Sequence, residues 1–240
     1  MIAFENVDFC YEDGTQVLFD VNLRVPDGTT LALLGASGSG KTTLLHVLLG
    51  LLKPTGGRVL VDGQDIVPMR EKALSDVRER MGVVFQDGAL FDSLTVGENV
   101  SFYMRERMRL DEDEMERRTL EQLKYVGLSH TMDLMPDELS GGMRRRVAVA
   151  RAMAAFRPTI MLYDEPTSGL DPITADSICD LIRQVGTEQK LTSIIVTHRL
   201  RDAFKVADRL VLFRAGRIYF EGTCDLLRAA TDPYIKRFMA

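Results

Sequence analysis

The chain has 240 residues, of which 35 are acidic and 30 basic, giving a formal net charge of −5. That acidic balance argues against a nucleic-acid partner, which is usually met by a basic surface, and no apolar run approaches the ~18 residues that a membrane span needs. At 45% hydrophobic residues the chain can bury a sizeable core. Along the first 30 residues short apolar and polar runs alternate, with turns at Glu12-Asp13-Gly14 and Pro26-Asp27-Gly28, which predicts an antiparallel strand layer. Thr30 to Leu34 is an apolar, strand-like run, and Thr43 to Leu52 is apolar and helix-like. Residues 57–67 predict a hairpin around Asp62-Gly63, and Met81 to Gln86 a buried strand. From about 87 to 157 the texture becomes helical: Arg105 to Arg118 is densely charged, as a solvated helix face would be, and Leu120, Leu123 and Val126 recur at helical spacing. After Pro158, Ile160 to Tyr163, Ser193 to Val196 and Arg209 to Phe213 are apolar runs separated by helical patterns. Such alternation predicts a mostly parallel α/β sheet. Met1 to Asn6 lacks the basic start of a signal peptide. Cys10, Cys179 and Cys224 are too scattered for a zinc or disulfide framework and read as small buried thiols in a cytosolic chain.

The octet Gly35-Ala36-Ser37-Gly38-Ser39-Gly40-Lys41-Thr42 fits G-x-x-x-x-G-K-[ST], the phosphate loop of nucleoside triphosphatases. Its strand–loop–helix setting is the context that motif requires. The glycines let successive backbone N–H groups face a phosphate, and the helix N-terminus adds its positive dipole end. Lys41 can reach the β- and γ-phosphates, and the Thr42 hydroxyl can serve Mg²⁺. Ile160-Met161-Leu162-Tyr163-Asp164-Glu165 is an apolar strand ending in two carboxylates, one suited to Mg²⁺ and the next to polarising the attacking water. Ser140-Gly141-Gly142 precedes a helix from Arg144 to Ala155. These residues suit either a phosphate or an ordinary N-cap by Ser140. Gln86 and His198 each end a strand, Gln86 within reach of a metal or water; alone, neither is informative.

Taken together and in this order, the motifs resemble the ATP-binding subunit of an ATP-binding-cassette (ABC) transporter, over essentially the whole chain. The resemblance implies an α/β fold: a phosphate-loop NTPase with a mostly parallel sheet core, an N-terminal antiparallel β layer and a helical subdomain. It implies one ABC ATPase domain over 1–240, with a nucleotide-binding core at 1–86 and 158–240 and the helical subdomain at 87–157. It implies ATP and Mg²⁺ as cofactors. By the same resemblance Tyr11 stacks on adenine, and Gly35 to Thr43 form the Walker A loop. Gln86 meets both metal and transporter, and Asp164 is the metal-linked acid. Glu165 is the catalytic base and His198 the switch histidine near the γ-phosphate. Ser140, Gly141 and Gly142 are the signature that contacts the γ-phosphate held by the opposite subunit, and Asp171 lies in the D-loop Ser168-Gly169-Leu170-Asp171. The implied partners are a second copy of the chain, paired head-to-tail over two ATP molecules, and an integral membrane permease. The implied location is the cytoplasmic face of the inner membrane.

Within that family, Met143 where Gln is usual, the segment Val84 to Val96, Tyr163 before the acids, and Asp232-Pro233 with Phe238 resemble ATPases of the Mla/Mce class. This class moves phospholipids between bacterial membranes, which adds an MCE-domain lipid-binding protein to the expected partners. The alternatives are an importer ATPase for another small solute and a soluble non-transport ATPase. Chromosome and repair members carry a long coiled coil between phosphate loop and signature. Lys41 and Ser140 are only 99 positions apart, with no sustained heptads.

Overall fold

The computed structural model describes residues 1–154 and 158–239. The expected last residue of the signature helix, Ala155, and the expected end of the helical stretch at 157 lie outside the described residues.

Two sheets form the framework. The first is antiparallel, with spatial order β2-β1-β4-β5. Its strands are β1 (Ile2–Cys10), β2 (Gln16–Val25), β4 (Gly56–Val61) and β5 (Gln64–Asp65). Alternating burial along β2 shows one face on the core and one in solvent, as the alternating sequence predicts. The expected hairpin at Asp62-Gly63 joins β4 to β5. The second sheet has the order β10-β9-β3-β8-β7-β6. Its parallel strands are β3 (Thr30–Gly35), β6 (Met81–Val84), β7 (Ile160–Asp164), β8 (Thr192–Thr197) and β9 (Arg209–Arg214). An antiparallel edge strand, β10 (Arg217–Gly222), closes one side. All six residues of β8 are buried, because helices and the first sheet cover both faces. This is why the strands read as continuous apolar runs.

The core is partitioned accordingly. Phe4, Leu18, Leu33, Leu48 and Phe213 pack between the two sheets and helix α1 (Lys41–Leu48). On the opposite side Val100, Met104, Leu123, Val147, Tyr163 and Ile182 join the second sheet to four helices. These are α3 (Val96–Arg107), α4 (Glu112–Tyr125), α5 (Gly141–Ala154) and α6 (Pro172–Gln189). A third cluster lies under α7 (Leu200–Val206), α8 (Cys224–Ala229) and α9 (Pro233–Met239). A short helix, α2 (Glu71–Arg78), precedes β6.

Several expectations shift. The helix after the phosphate loop ends at Leu48, because Gly50 takes φ 64° and turns the chain, leaving Leu51 exposed. The charged run 105–118 belongs to two helices, with Asp111 accepting a hydrogen bond from the Glu114 N–H at the start of the second. Leu120 is exposed, whereas Leu123 and Val126 are buried. The expected strand through Gln86 stops at Val84 and exposes Phe85. Cys179 is buried as expected, but Cys10 and Cys224 are only half-buried. Among the described residues, no helix is long and apolar enough to cross a membrane.

Candidate active site

Four adjacent parallel strands end at one edge of the second sheet, and each delivers one piece of chemistry. β3 runs into the phosphate loop, β8 into His198, β7 into Asp164 and Glu165, and β6 into Gln86. Pairing of Leu34 with Thr197, Asp164 with Val196 and Val84 with Tyr163 sets these ends level with one another. Burial of the strands therefore holds the polar groups at the carboxyl edge, where α/β sheets bind ligands.

A cleft of about 700 Å³ opens there. From the loop and α1 it is lined by Ala36, Ser37, Gly38, Gly40, Lys41, Thr42 and Thr43. From elsewhere come Tyr11, Gln86, Glu165, Ser168 and His198. Gly40 caps α1 with φ 105°, a conformation that glycine adopts without the clash a Cβ would bring. Gly35 ends β3 at the start of the loop, where a Cβ would stand 2.8 Å from the hydroxyl of the buried Ser39. Tyr11 lines the cleft, 42% exposed, with its ring at 84° to that of Phe9. Val17, beside it, was not singled out from the sequence.

Lys41 is buried, and its ammonium donates to the carbonyls of Gly35 (2.8 Å) and Ala36 (3.0 Å). Three N–H groups minus two leaves one for a phosphate oxygen. Burial draws the Lys41 pKa down, and the carboxylates of Glu165 and Asp164 oppose this. The Thr42 hydroxyl donates to Asp164 Oδ1 at 3.2 Å, so a hydroxyl and a carboxylate oxygen sit side by side. Such hard oxygen donors suit Mg²⁺, which takes few protein ligands and shares the rest with phosphate and water. Burial pushes the Asp164 carboxyl above the ordinary range; the Thr42 hydrogen bond opposes that and the Glu165 charge adds to it.

Glu165 sits at φ 48°, with its N–H donating to Val196 O (2.9 Å) and its carbonyl accepting from Ser168 N (3.1 Å). Its Oε2 lies 2.9 Å from His198 Nδ1, a close approach without the alignment of a hydrogen bond. Gln86 Nε2 donates to the Ser168 hydroxyl at 3.4 Å.

A supporting network was invisible in the sequence. Arg199 donates to Thr167 O (3.1 Å) and lies 3.4 Å from Asp202, whose carboxylate also takes the Thr167 hydroxyl. The network ties the turn after Glu165 to the segment that carries His198. The i, i+3 spacing of Arg199 and Asp202 on a helix start was its only trace in sequence.

The remaining expected site residues lie elsewhere. Among the described residues, Ser140, Gly141, Gly142 and Asp171 do not line this cleft. The Ser140 hydroxyl accepts from Met143 N (3.3 Å) at the start of α5. Gly142 is buried so closely against Thr174 that a Cβ would meet its Cγ2 at 2.4 Å, and one on Gly141 would reach Leu170 at 3.0 Å. Asp171 caps α6, its carboxylate accepting from Ile173 N and Thr174 N at 3.0 Å each. The Thr174 hydrogen bonds hold that carboxyl below the ordinary range.

The family profile described as ABC transporter matches residues 18–168, from β2 through the phosphate loop to the turn after Glu165. The chain belongs to the ABC transporter family. This cassette is 40% identical over 240 residues to the intermembrane phospholipid transport system ATP-binding protein MlaF of Haemophilus influenzae, covering 100% of this chain and 90% of that one. It is 37% identical over 225 residues to the methionine import ATP-binding protein MetN of Corynebacterium jeikeium, covering 92% of this chain and 61% of that one. A solved dimeric ATP-binding cassette, in a post-hydrolysis state with ADP and phosphate bound, matches with a TM-score of 0.85 at 33% identity, covering 93% of this chain and 98% of that one. The cassette is thus an ATP-binding, ATP-hydrolysing transporter subunit.

Proposed function

We propose that this cassette hydrolyses ATP to drive phospholipid movement between bacterial membranes. It would work as a head-to-tail pair beneath an integral permease at the cytoplasmic face, with an MCE-domain protein as lipid-binding partner. The likeness to MlaF along the full chain carries the cargo reading. In this reading residues 1–86 and 158–240 form the nucleotide-binding core, and 87–157 a helical arm.

The chemistry follows from the cleft. Tyr11 takes the adenine face, the loop N–H groups and the third Lys41 N–H hold the β- and γ-phosphates, and Thr42, Asp164 and Gln86 hold Mg²⁺. The cation, once bound, neutralises developing phosphate charge. Glu165 accepts the proton of the attacking water. His198, 2.9 Å away, orients that carboxylate beside the γ-phosphate. The Ser140–Gly142 segment and Asp171 do not line their own chain's cleft among the described residues; those of a second copy would close it. The permease would sit in a groove of about 330 Å³ where Phe85, Phe91 and Phe102 are exposed, directly beside Gln86.

Affinity purification of the full chain from detergent-solubilised native membranes tests the reading. A permease carrying bound phospholipid is expected. A permease that brings down amino acid or metal ligands and no lipid would replace it with the importer alternative.

A further inference from the structure

Three consecutive arginines, Arg144, Arg145 and Arg146, lie near the start of α5, and such a run ordinarily faces water. Arg145 does not; it is 5% exposed. A buried guanidinium needs hydrogen-bond partners, and here one turn supplies two of them. Its Nε donates to Pro166 O at 3.1 Å and its Nη2 to Ser168 O at 3.3 Å. Its Nη2 also lies 3.6 Å from Asp87 Oδ1. Asp87 is 95% exposed, so that pair is screened and the two carbonyls decide the placement. Pro166 and Ser168 follow Glu165 directly. The Ser168 hydroxyl accepts from Gln86, and Asp87 follows Gln86. One side chain on α5 therefore grips the turn that follows Glu165 and, through Ser168, reaches Gln86, two residues past the end of β6.

Resting on the reading of Glu165 as base and Gln86 as its neighbour at the metal, we propose that Arg145 is a positioning residue that couples the helix behind the Ser140 signature to Glu165 and Gln86. The fork of the guanidinium holds two carbonyls two residues apart, so α5 and the 166–168 turn move together. A second copy's nucleotide, contacting Ser140 at the start of α5, then acts through Arg145 on the water-polarising groups of the chain's own cleft. The coupling needs the fork: a lysine ammonium is a point charge without its fixed geometry. Phosphate-loop contacts are not part of this path: among the described residues Lys41 hydrogen-bonds to the carbonyls of Gly35 and Ala36, not to the 166–168 turn.

The test compares Arg145→Met, Arg145→Lys and Glu165→Gln in the purified transporter complex. It reads melting temperature, MgATP affinity, kcat, KM and the Hill coefficient for ATP. For folded Arg145→Met, kcat is expected to fall at least about tenfold, within what a small misplacement of reacting groups costs. MgATP affinity and KM are expected to stay within about twofold, the Hill coefficient to approach one, and Arg145→Lys to restore only part of kcat. Wild-type kcat and Hill coefficient in Arg145→Met would overturn the proposal, as would losses of kcat, affinity and melting temperature that fall together. If the Met variant does not fold, the Lys variant decides: wild-type kcat and cooperativity in it overturn the proposal, and reduced kcat at unchanged affinity upholds it. Glu165→Gln separates the two layers, since normal hydrolysis there removes the base reading itself, whatever the Arg145 variants do.

Discussion

Replacing Glu165 by Gln isolates the proton-accepting step. The exchange is nearly isosteric, and the backbone clamps at Val196 and Ser168 do not involve the side chain. The φ of 48° at this position is equally available to both residues. What disappears is the acceptor for the water proton, a general-base contribution of roughly 10²–10⁴-fold, or about 2.7–5.4 kcal/mol at 1.36 kcal/mol per decade. Ground-state binding should not follow it down. Lys41, Thr42 and Asp164 are untouched, and the Glu165 charge is one of the causes that keep the Asp164 carboxyl above its ordinary range. Removing that charge makes Asp164 easier to ionise, so MgATP affinity should hold or tighten. Phosphate release by the transporter complex should fall at least ~10²-fold, while titration calorimetry shows a Kd that is unchanged or lower. Nucleotide that stays bound should hold two copies together: size-exclusion chromatography with ATP should show more dimer than for wild type, and adding Ser140→Arg should abolish it. Near-normal hydrolysis would refute the assignment, as would a Kd that weakens in step with kcat.

Two further outcomes come from the scaffold. Gly216 lies at φ 74° where a Cβ would stand 2.1 Å from Val17 O, and its N–H donates to Ser39 O in the phosphate loop at 3.0 Å. Gly216→Ala should lower unfolding free energy by about 2 kcal/mol or more and weaken ATP binding, read by thermal melting and calorimetry; a melting temperature like wild type would show that the loop tolerates the side chain. Burial pushes the Cys179 thiol up to about 12, so its reactive thiolate is suppressed at neutral pH. Maleimide at pH 8 should spare Cys179 in the folded chain, label the half-buried Cys10 and Cys224 faster, and reach Cys179 only after denaturation, as peptide mass spectrometry would show.

Much of the site was legible because chemistry and burial coincide in the strands. Ile160 to Leu162 and Ile194 to Val196 are apolar, since both faces of the sheet are covered. The polar residues just past these runs, Asp164 with Glu165 and His198, lie at the ligand edge. The helical stretch was less legible. Its charge run hid a break, although Asp111 followed three residues later by Glu114 carries the cap signal that marks the second start. The terminal hairpin strand β10 and the short helices α8 and α9 have no long apolar period, and the reading stopped at Phe213. Buried polar residues were least legible of all. Asn99 is fully buried, its amide donating to the carbonyls of Phe91, Leu94 and Thr95 at 3.0 Å each, and Arg145 bonds a turn more than 20 positions away. In a sequence both look like surface residues, because their partners are backbone groups that leave no pattern.

The adjacent carboxylates show how one strand end can hold two roles. Along an extended strand, successive side chains point to opposite faces, and Asp164 and Glu165 would part company. The left-handed backbone at Glu165 breaks that alternation just as β7 ends. A non-glycine residue there carries a cost of order 1–3 kcal/mol, which persists only when neighbours enforce it. The hydrogen bonds to Val196 and from Ser168 provide that enforcement. The turn brings both acids to the phosphate loop but into different company. Asp164 is held by the Thr42 hydroxyl at 3.2 Å, in the setting of a cation ligand. Glu165 lines the cleft with its carboxylate beside the exposed His198, in the setting of a proton acceptor. Environments that differ across two neighbouring acids divide the labour between them. With a cation on Asp164, the carboxylate left in the cleft would be Glu165, and that geometry supports the proposed role of Glu165 as base as much as the motif does.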